Sequence, residues 1–268
     1  MGDQAEKTGL QAFEARLALL AEKVRAGFPE RARELRRAVA ALPQDLPVTR
    51  DEIRRFAHKI RGTAGSHGFA ELSEIAAKVE RLAHAGAAEE TAREALALAD
   101  ALDRTALDRA AQAAVAPAPS PISEVQPEAP AEPISEVQQK VVSLAGLRIL
   151  VVDDDASTRK LLSLTLVNVG RAEAIIEERG ALMIERLRAE RFDVVIVDAM
   201  MPEMNGSACL ERIVGDALHR QGTRYFVLSA ATEQELGWSL PQELDVGWLR
   251  KPFRPRELVD AIAARLAR

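Results

Sequence analysis

Residues 116–140 read APAPSPISEVQPEAPAEPISEVQQK, and this stretch divides the chain. It holds six of the 13 prolines, all between Pro117 and Pro133, and it contains the segment PISEVQ twice, at 121–126 and 133–138. It lacks the aromatic and branched apolar density needed to offset chain entropy, and its spaced prolines favour extended, semi-rigid backbone. It is a linker, assigned to residues 116–143, with one domain before it (1–115) and one after it (144–268). The repeated PISEVQ is read as duplicated spacer in preference to a docking peptide.

The composition agrees with two domains of ordinary size: 268 residues, 47% of them hydrophobic, are enough for two cores. The formal charges of 1–115, 116–140 and 141–268 sum to 0, −3 and −2 of the total −5, so neither domain carries a strong field. That balance argues against a general nucleic-acid binder, which needs a clustered basic footprint. The single Cys209 excludes a disulfide framework and a multi-Cys zinc site, as expected for a reducing, cytoplasmic compartment. No signal peptide is visible, and nowhere do about 18 apolar residues run together, so membrane insertion is not expected.

Before the linker the hydrophobic period is helical. Leu10, Phe13, Leu17, Leu20 and Val24 mark a first helix that breaks at Gly27–Pro29, and a second covers about 30–42 and stops before Pro43. A third opens with the capping-box pattern Thr49-Arg-Asp-Glu52 and closes at Gly68. A fourth carries Leu72, Ile75, Val79 and Leu82 on one stripe to Gly86, and a fifth is Ala-rich and runs to about 114. Short connections between amphipathic helices predict an antiparallel bundle. After the linker, strands alternate with helices: LRILVV, AEAII, DVVIVDA, YFVLSA and VGWLRK are five apolar strands. The chain is thus read as multidomain α and α/β, with an N-terminal antiparallel helical bundle and a C-terminal flavodoxin-like, doubly wound five-stranded parallel sheet.

On the third helix, Ile53, Phe56, Ala57, Ile60 and Ala64 form the buried stripe, while His58 lies about 140° from Ile53 at 100° per residue and points to solvent. Gly62 and Gly65 follow on the same exposed face. Glycine in a helix costs roughly 0.5–1 kcal/mol relative to Ala, so the pair needs a reason, and the reason is room for a partner to approach His58. Arg54, Lys59 and Arg61 supply positive charge nearby for an anion such as a phosphoryl group. The run Ala57-His58-Lys59-Ile60-Arg61-Gly62-Thr63-Ala64-Gly65-Ser66, with Gly68 and the helix to Glu80, resembles the histidine-phosphotransfer (HPt) family over about 9–110. The resemblance implies that His58 is a phosphoacceptor and that Lys59 or Arg61 stabilises the phosphoryl oxygens. Arg61 stands where Lys is usual and His67 where an apolar residue is usual; His67 is read as structural, and His84 and His219 as surface residues.

In the second domain Asp153-Asp154-Asp155, Asp198, Ser229-Ala230 and Lys251-Pro252 all fall at the carboxyl ends of strands, where the ligand site of an open parallel sheet lies. Crowded carboxylates repel one another unless a cation sits between them, and a hard oxygen set of this kind suits Mg²⁺. An aspartate nucleophile, a hydroxyl and an ammonium beside it form a phosphoryl-transfer constellation. The spacing VVDDD, VIVDAMMPEMNG, VLSA and WLRKPF resembles the receiver domains of two-component response regulators over about 146–268. That resemblance implies that Asp198 is the phosphoacceptor. It also implies that Asp153, Asp154, Asp198 and the Met200 carbonyl hold Mg²⁺, that Ser229 and Lys251 contact the phosphoryl group, that Lys251-Pro252 is cis, and that Trp248 is a switch aromatic. Asn205 replaces the more usual Asp, and the stretch Gly237–Asp245 departs from a regular fourth helix, an element of the usual signalling face.

Asp153-x-Asp155-x-Ser157 also resembles the nucleophile motif of haloacid-dehalogenase-like phosphatases, but that family needs a further acidic motif after the lysine, and the 17 residues after Lys251 supply none. The expected function is a two-component phosphorelay protein, phosphorylated by a sensor or hybrid histidine kinase, able to exchange with other receiver domains, and acting through protein contacts with no DNA-binding output. No nucleotide-binding loop for a kinase ATP site is present. The linker, about 25–30 Å long as a flexible coil, permits transfer within one chain at millimolar effective concentration. The alternative is a non-catalytic kinase-binding module gated by receiver phosphorylation. Met200 and Ala231 cannot hydrogen-bond a hydrolytic water, so a phosphoryl group on Asp198 should be long-lived.

Overall fold

A computed structural model describes residues 2–42, 46–115, 143–218 and 222–267. The linker residues 116–142, with their repeat, Pro43 and His219 lie outside the described residues. The N-terminal part is five helices: α1 Gly2–Ala26, α2 Phe28–Ala41, α3 Leu46–Ser66, α4 Ala70–Ala85 and α5 Ala88–Val115. Their shared core is built on Phe28, Leu35, Ile53, Ile60, Leu98 and Leu102. Phe28 meets Phe69 edge to face at 4.9 Å, and the Arg25 guanidinium lies over the Phe69 ring.

Two local readings are corrected. Thr49 does not cap α3: the helix begins at Leu46, and Thr49 is buried within it. On α4 the buried face is Leu72, Ser73, Ala76, Val79, Glu80 and Ala83, with Ile75 and Leu82 only half-buried. Gly86 ends this helix in the left-handed conformation that a residue without Cβ adopts freely.

The C-terminal part is a parallel sheet of order β2-β1-β3-β4-β5, made of β1 Arg148–Val152, β2 Glu173–Glu177, β3 Val194–Asp198, β4 Arg224–Ser229 and β5 Val246–Arg250. Alternate residues of the strands feed two apolar layers, as the two-residue period requires. Ile149, Val151, Val194 and Ile196 pack with helices α6 Ala156–Leu164 and α10 Pro255–Leu266. Leu150, Val152, Val195 and Val197 pack with α7 Gly180–Ala189 and α8 Gly206–Gly215. A π-helical turn, Thr165–Val169, continues α6. The fourth helix of this part, α9 Glu233–Leu236, is one turn long, as the irregular stretch after Gly237 anticipated.

The two parts are in contact. Leu17 and Leu20 of α1 join the apolar layer of Leu161, Leu162 and Leu166, and Arg31 of α2 pairs with Asp155 at 3.0 Å.

Candidate functional site

Strand register gathers the polar residues. Val152 is level with Val197 across β1 and β3, Asp198 with Leu228 across β3 and β4, and Ser229 with Arg250 across β4 and β5. The residues at or just beyond these strand ends, Asp153, Asp198, Ser229 and Lys251, therefore share one rim. The Lys251 ammonium bridges two carboxylates, donating to Asp153 Oδ2 at 2.8 Å and to Asp198 Oδ1 at 2.8 Å. Lys251-Pro252 is cis. Burial would lower the Lys251 pKa, but the Asp153 and Asp198 charges outweigh it and hold the ammonium charged well above its ordinary range. Complete burial pushes the Asp153 carboxyl up to about 7; Lys251 opposes that shift and Asp198 adds to it.

Asp155 serves the fold instead, since its side chain caps α6 by accepting from the Thr158 amide at 2.8 Å. Burial raises its pKa, and Arg31 together with the Thr158 amide more than reverses this. Asn205, in place of the more usual Asp, caps α8 by accepting from the Ala208 amide at 2.9 Å. Ser229 Oγ accepts from the Ala231 amide at 3.0 Å within its own turn. Trp248 is half-buried against Trp238, ring centroids 6.1 Å apart, on the α7/α8 side of the sheet.

The carboxylates suit a hard divalent cation. Asp153, Asp154 and Asp198 each offer an oxygen within 4.8 Å of the others, and Asp154 Oδ1 is buried without a hydrogen-bond partner. All donors are oxygens, as Mg²⁺ prefers.

His58 departs from the sequence reading. Helical phase put it on the solvent side of the bundle, and it is indeed off the bundle core, yet it is only 2% exposed. The second domain covers that face. A Cβ on Gly62 would stand 2.9 Å from Lys251 Cδ, and one on Gly65 would stand 2.7 Å from Pro252 Cβ. The room that the glycines leave is filled by the Lys251-Pro252 dipeptide of the same chain. Lys59, one residue after His58, donates to Asp154 Oδ2. Arg61 donates to Glu80 Oε2 at 3.0 Å.

Glu80 of α4 was not singled out in the sequence, and it is the residue that holds the histidine: His58 Nδ1 lies 2.7 Å from Glu80 Oε1. Burial alone would raise the Glu80 carboxyl, but its bonds from His58 and Arg61 bring it below the ordinary value, so it is ionised and Nδ1 must be the donor. Nε2 is left buried and without a partner. The available signal was an acidic side chain in the small-residue stripe Ser73, Ala76, Glu80, Ala83, at helical spacing. His67 donates from Nδ1 to the Thr63 carbonyl at 2.7 Å, and burial lowers its pKa, in keeping with a structural role.

The site is thus an aspartate-lysine rim on a doubly wound sheet, with the helix that bears His58 packed on it through Gly62 and Gly65. In comparison with known families, the response regulator receiver domain matches residues 149–263, and the Hpt domain matches residues 19–111. DNA-binding response regulator MtrA of Mycobacterium tuberculosis is 36% identical over 122 residues, covering 45% of this chain and 51% of MtrA. The chain thus spans about half the length of that relative. Chemotaxis protein CheY of Thermotoga maritima is 28% identical over 117 residues, 44% of this chain and 95% of CheY. Among solved structures, Vibrio cholerae CheY4 is similar at 29% identity with a TM-score of 0.39, over 45% of this chain and 98% of that one. The chain carries an Hpt domain and a receiver domain together. Among the described residues no helix is long and apolar enough to cross a membrane.

Proposed function

We propose that Asp198 and His58 carry a phosphoryl group in turn and exchange it within one chain. The observation that supports this reading is the seating of Gly62 and Gly65 on Lys251-Pro252, which lays the His58 face of α3 on the rim that holds Asp198. The chemistry is balanced. With Nδ1–H held by Glu80, the Nε2 lone pair attacks phosphorus of an acyl phosphate on Asp198; the N–P bond forms, the P–O bond breaks, and its electron pair leaves as the Asp198 carboxylate. The charge gained by the ring is balanced by Glu80, and the reverse step regenerates the acyl phosphate. Lys251 and Ser229 neutralise the phosphoryl oxygens. Asp153, Asp154, Asp198 and the Met200 carbonyl would hold Mg²⁺, which when bound supplies further positive charge to those oxygens.

The phosphoryl group enters from a sensor or hybrid histidine kinase and leaves to another receiver domain, in the cytoplasm. Lys59 and Arg61 remain candidates for stabilising phospho-His58 once they leave Asp154 and Glu80. The test is labelling by a partner kinase of wild type, Asp198→Asn and His58→Gln. Label on His58 is expected to fall tenfold or more in Asp198→Asn. Equal labelling of His58 without Asp198 excludes the internal relay; kinase binding that responds to Asp198 but is indifferent to His58 identifies a gated docking module instead.

A further inference from the structure

Beside the apolar and glycine contacts, ion pairs between the two domains set cations of the helical domain on acids of the receiver. Arg31 pairs with Asp155, and Lys59 pairs with Asp154, while Lys251 of the receiver itself bridges Asp153 and Asp198. Asp154 is the shared element. One of its oxygens accepts from Lys59, the other is buried and unpartnered, and the carboxylate belongs to the cluster it forms with Asp153 and Asp198. Lys59 is thus placed as an internal counter-cation to a site whose negative charge suits a divalent metal. It reaches that site from α3, and its side chain is still 38% exposed, so it can withdraw into solvent without unfolding anything.

We infer that docking of the helical domain and binding of a divalent cation compete for Asp154. A doubly charged ion among Asp153, Asp154 and Asp198 repels the Lys59 ammonium and removes the carboxylate charge that holds it. Coupling of this kind is reciprocal: if the metal loosens docking, docking weakens the metal by the same factor. Lys59 then sets the fraction of molecules in which the receiver rim is open to an outside partner. This inference rests on the docking contacts and requires no phosphoryl transfer, so it can fail while the relay stands, and the converse holds as well.

The experiment uses the full chain and MgCl₂, with ionic strength held constant by NaCl so that general screening is the same throughout. Affinity for Mg²⁺ is measured by calorimetry on wild type and Lys59→Gln, and the radius of gyration of wild type by small-angle scattering across the same titration. Lys59→Gln is expected to bind Mg²⁺ at least fivefold more tightly, and wild type is expected to expand as Mg²⁺ saturates. Equal or weaker affinity in Lys59→Gln overturns the inference. So does a wild-type radius that stays constant through saturation, a result that remains decisive if the variant does not fold.

Discussion

The Lys251 side chain lies across Gly62 of α3, so close that a Cβ at residue 62 would stand 2.9 Å from Lys251 Cδ. Lys251 cannot swing away cheaply, because its ammonium is held by Asp153 and Asp198. Gly62→Ala therefore separates two effects. Alanine should stabilise α3 itself by about 1 kcal/mol, since glycine is a poor helix former, while the added methyl obstructs docking. The variant is expected to keep or raise its melting temperature and to show a larger radius of gyration than wild type. An unchanged radius would mean that the interface tolerates the methyl.

Glu80 joins α4 to His58, and its depressed pKa gives a pH signature. A carboxylate whose folded pKa lies below its unfolded value binds fewer protons when folded, so it contributes stability at pH values above the ordinary 4.5 and loses that contribution as pH falls through the folded value. Glu80→Gln should flatten this acid limb of the stability curve, measured by denaturant melts between about pH 6 and pH 3. The same substitution frees the imidazole to choose its tautomer. Transfer to His58 should drop by roughly tenfold or more while phosphorylation of Asp198 is unaffected.

A phosphoryl group on Asp198 should persist for minutes or longer when it has no histidine to reach. Met200 stands two residues after Asp198 and Ala231 two after Ser229, and neither side chain can donate a hydrogen bond to a hydrolytic water. The decay of phospho-Asp198 in His58→Gln, followed by acid-quenched label, measures this directly. Loss within seconds at 25 °C would show that another group orients the water.

Cys209 sits in the α7/α8 layer, and burial pushes its thiol up to about 12. The native protein should react with a thiol reagent at pH 8 at least a hundredfold more slowly than the unfolded chain, because the thiolate is both scarce and covered. Rapid native labelling would indicate that this layer opens.

What the sequence by itself determined is local. Proline spacing marked the division, periods of 3.6 and 2 marked helices and strands, and the strand ends named Asp153, Asp154, Asp198 and Lys251, because a parallel sheet brings those ends together whatever covers them. Gly62 and Gly65 announced a close approach on the His58 face without saying by what. The tertiary structure decided the rest. Glu80 is 22 residues from His58, and Lys251 is 189 residues from Gly62, separations at which no helical or strand period relates two side chains. Helical phase states which side of α3 a residue is on, and it is silent about what lies beyond that side. His58 therefore read as exposed and is buried, since the face free of the bundle core is the face that docks on the receiver.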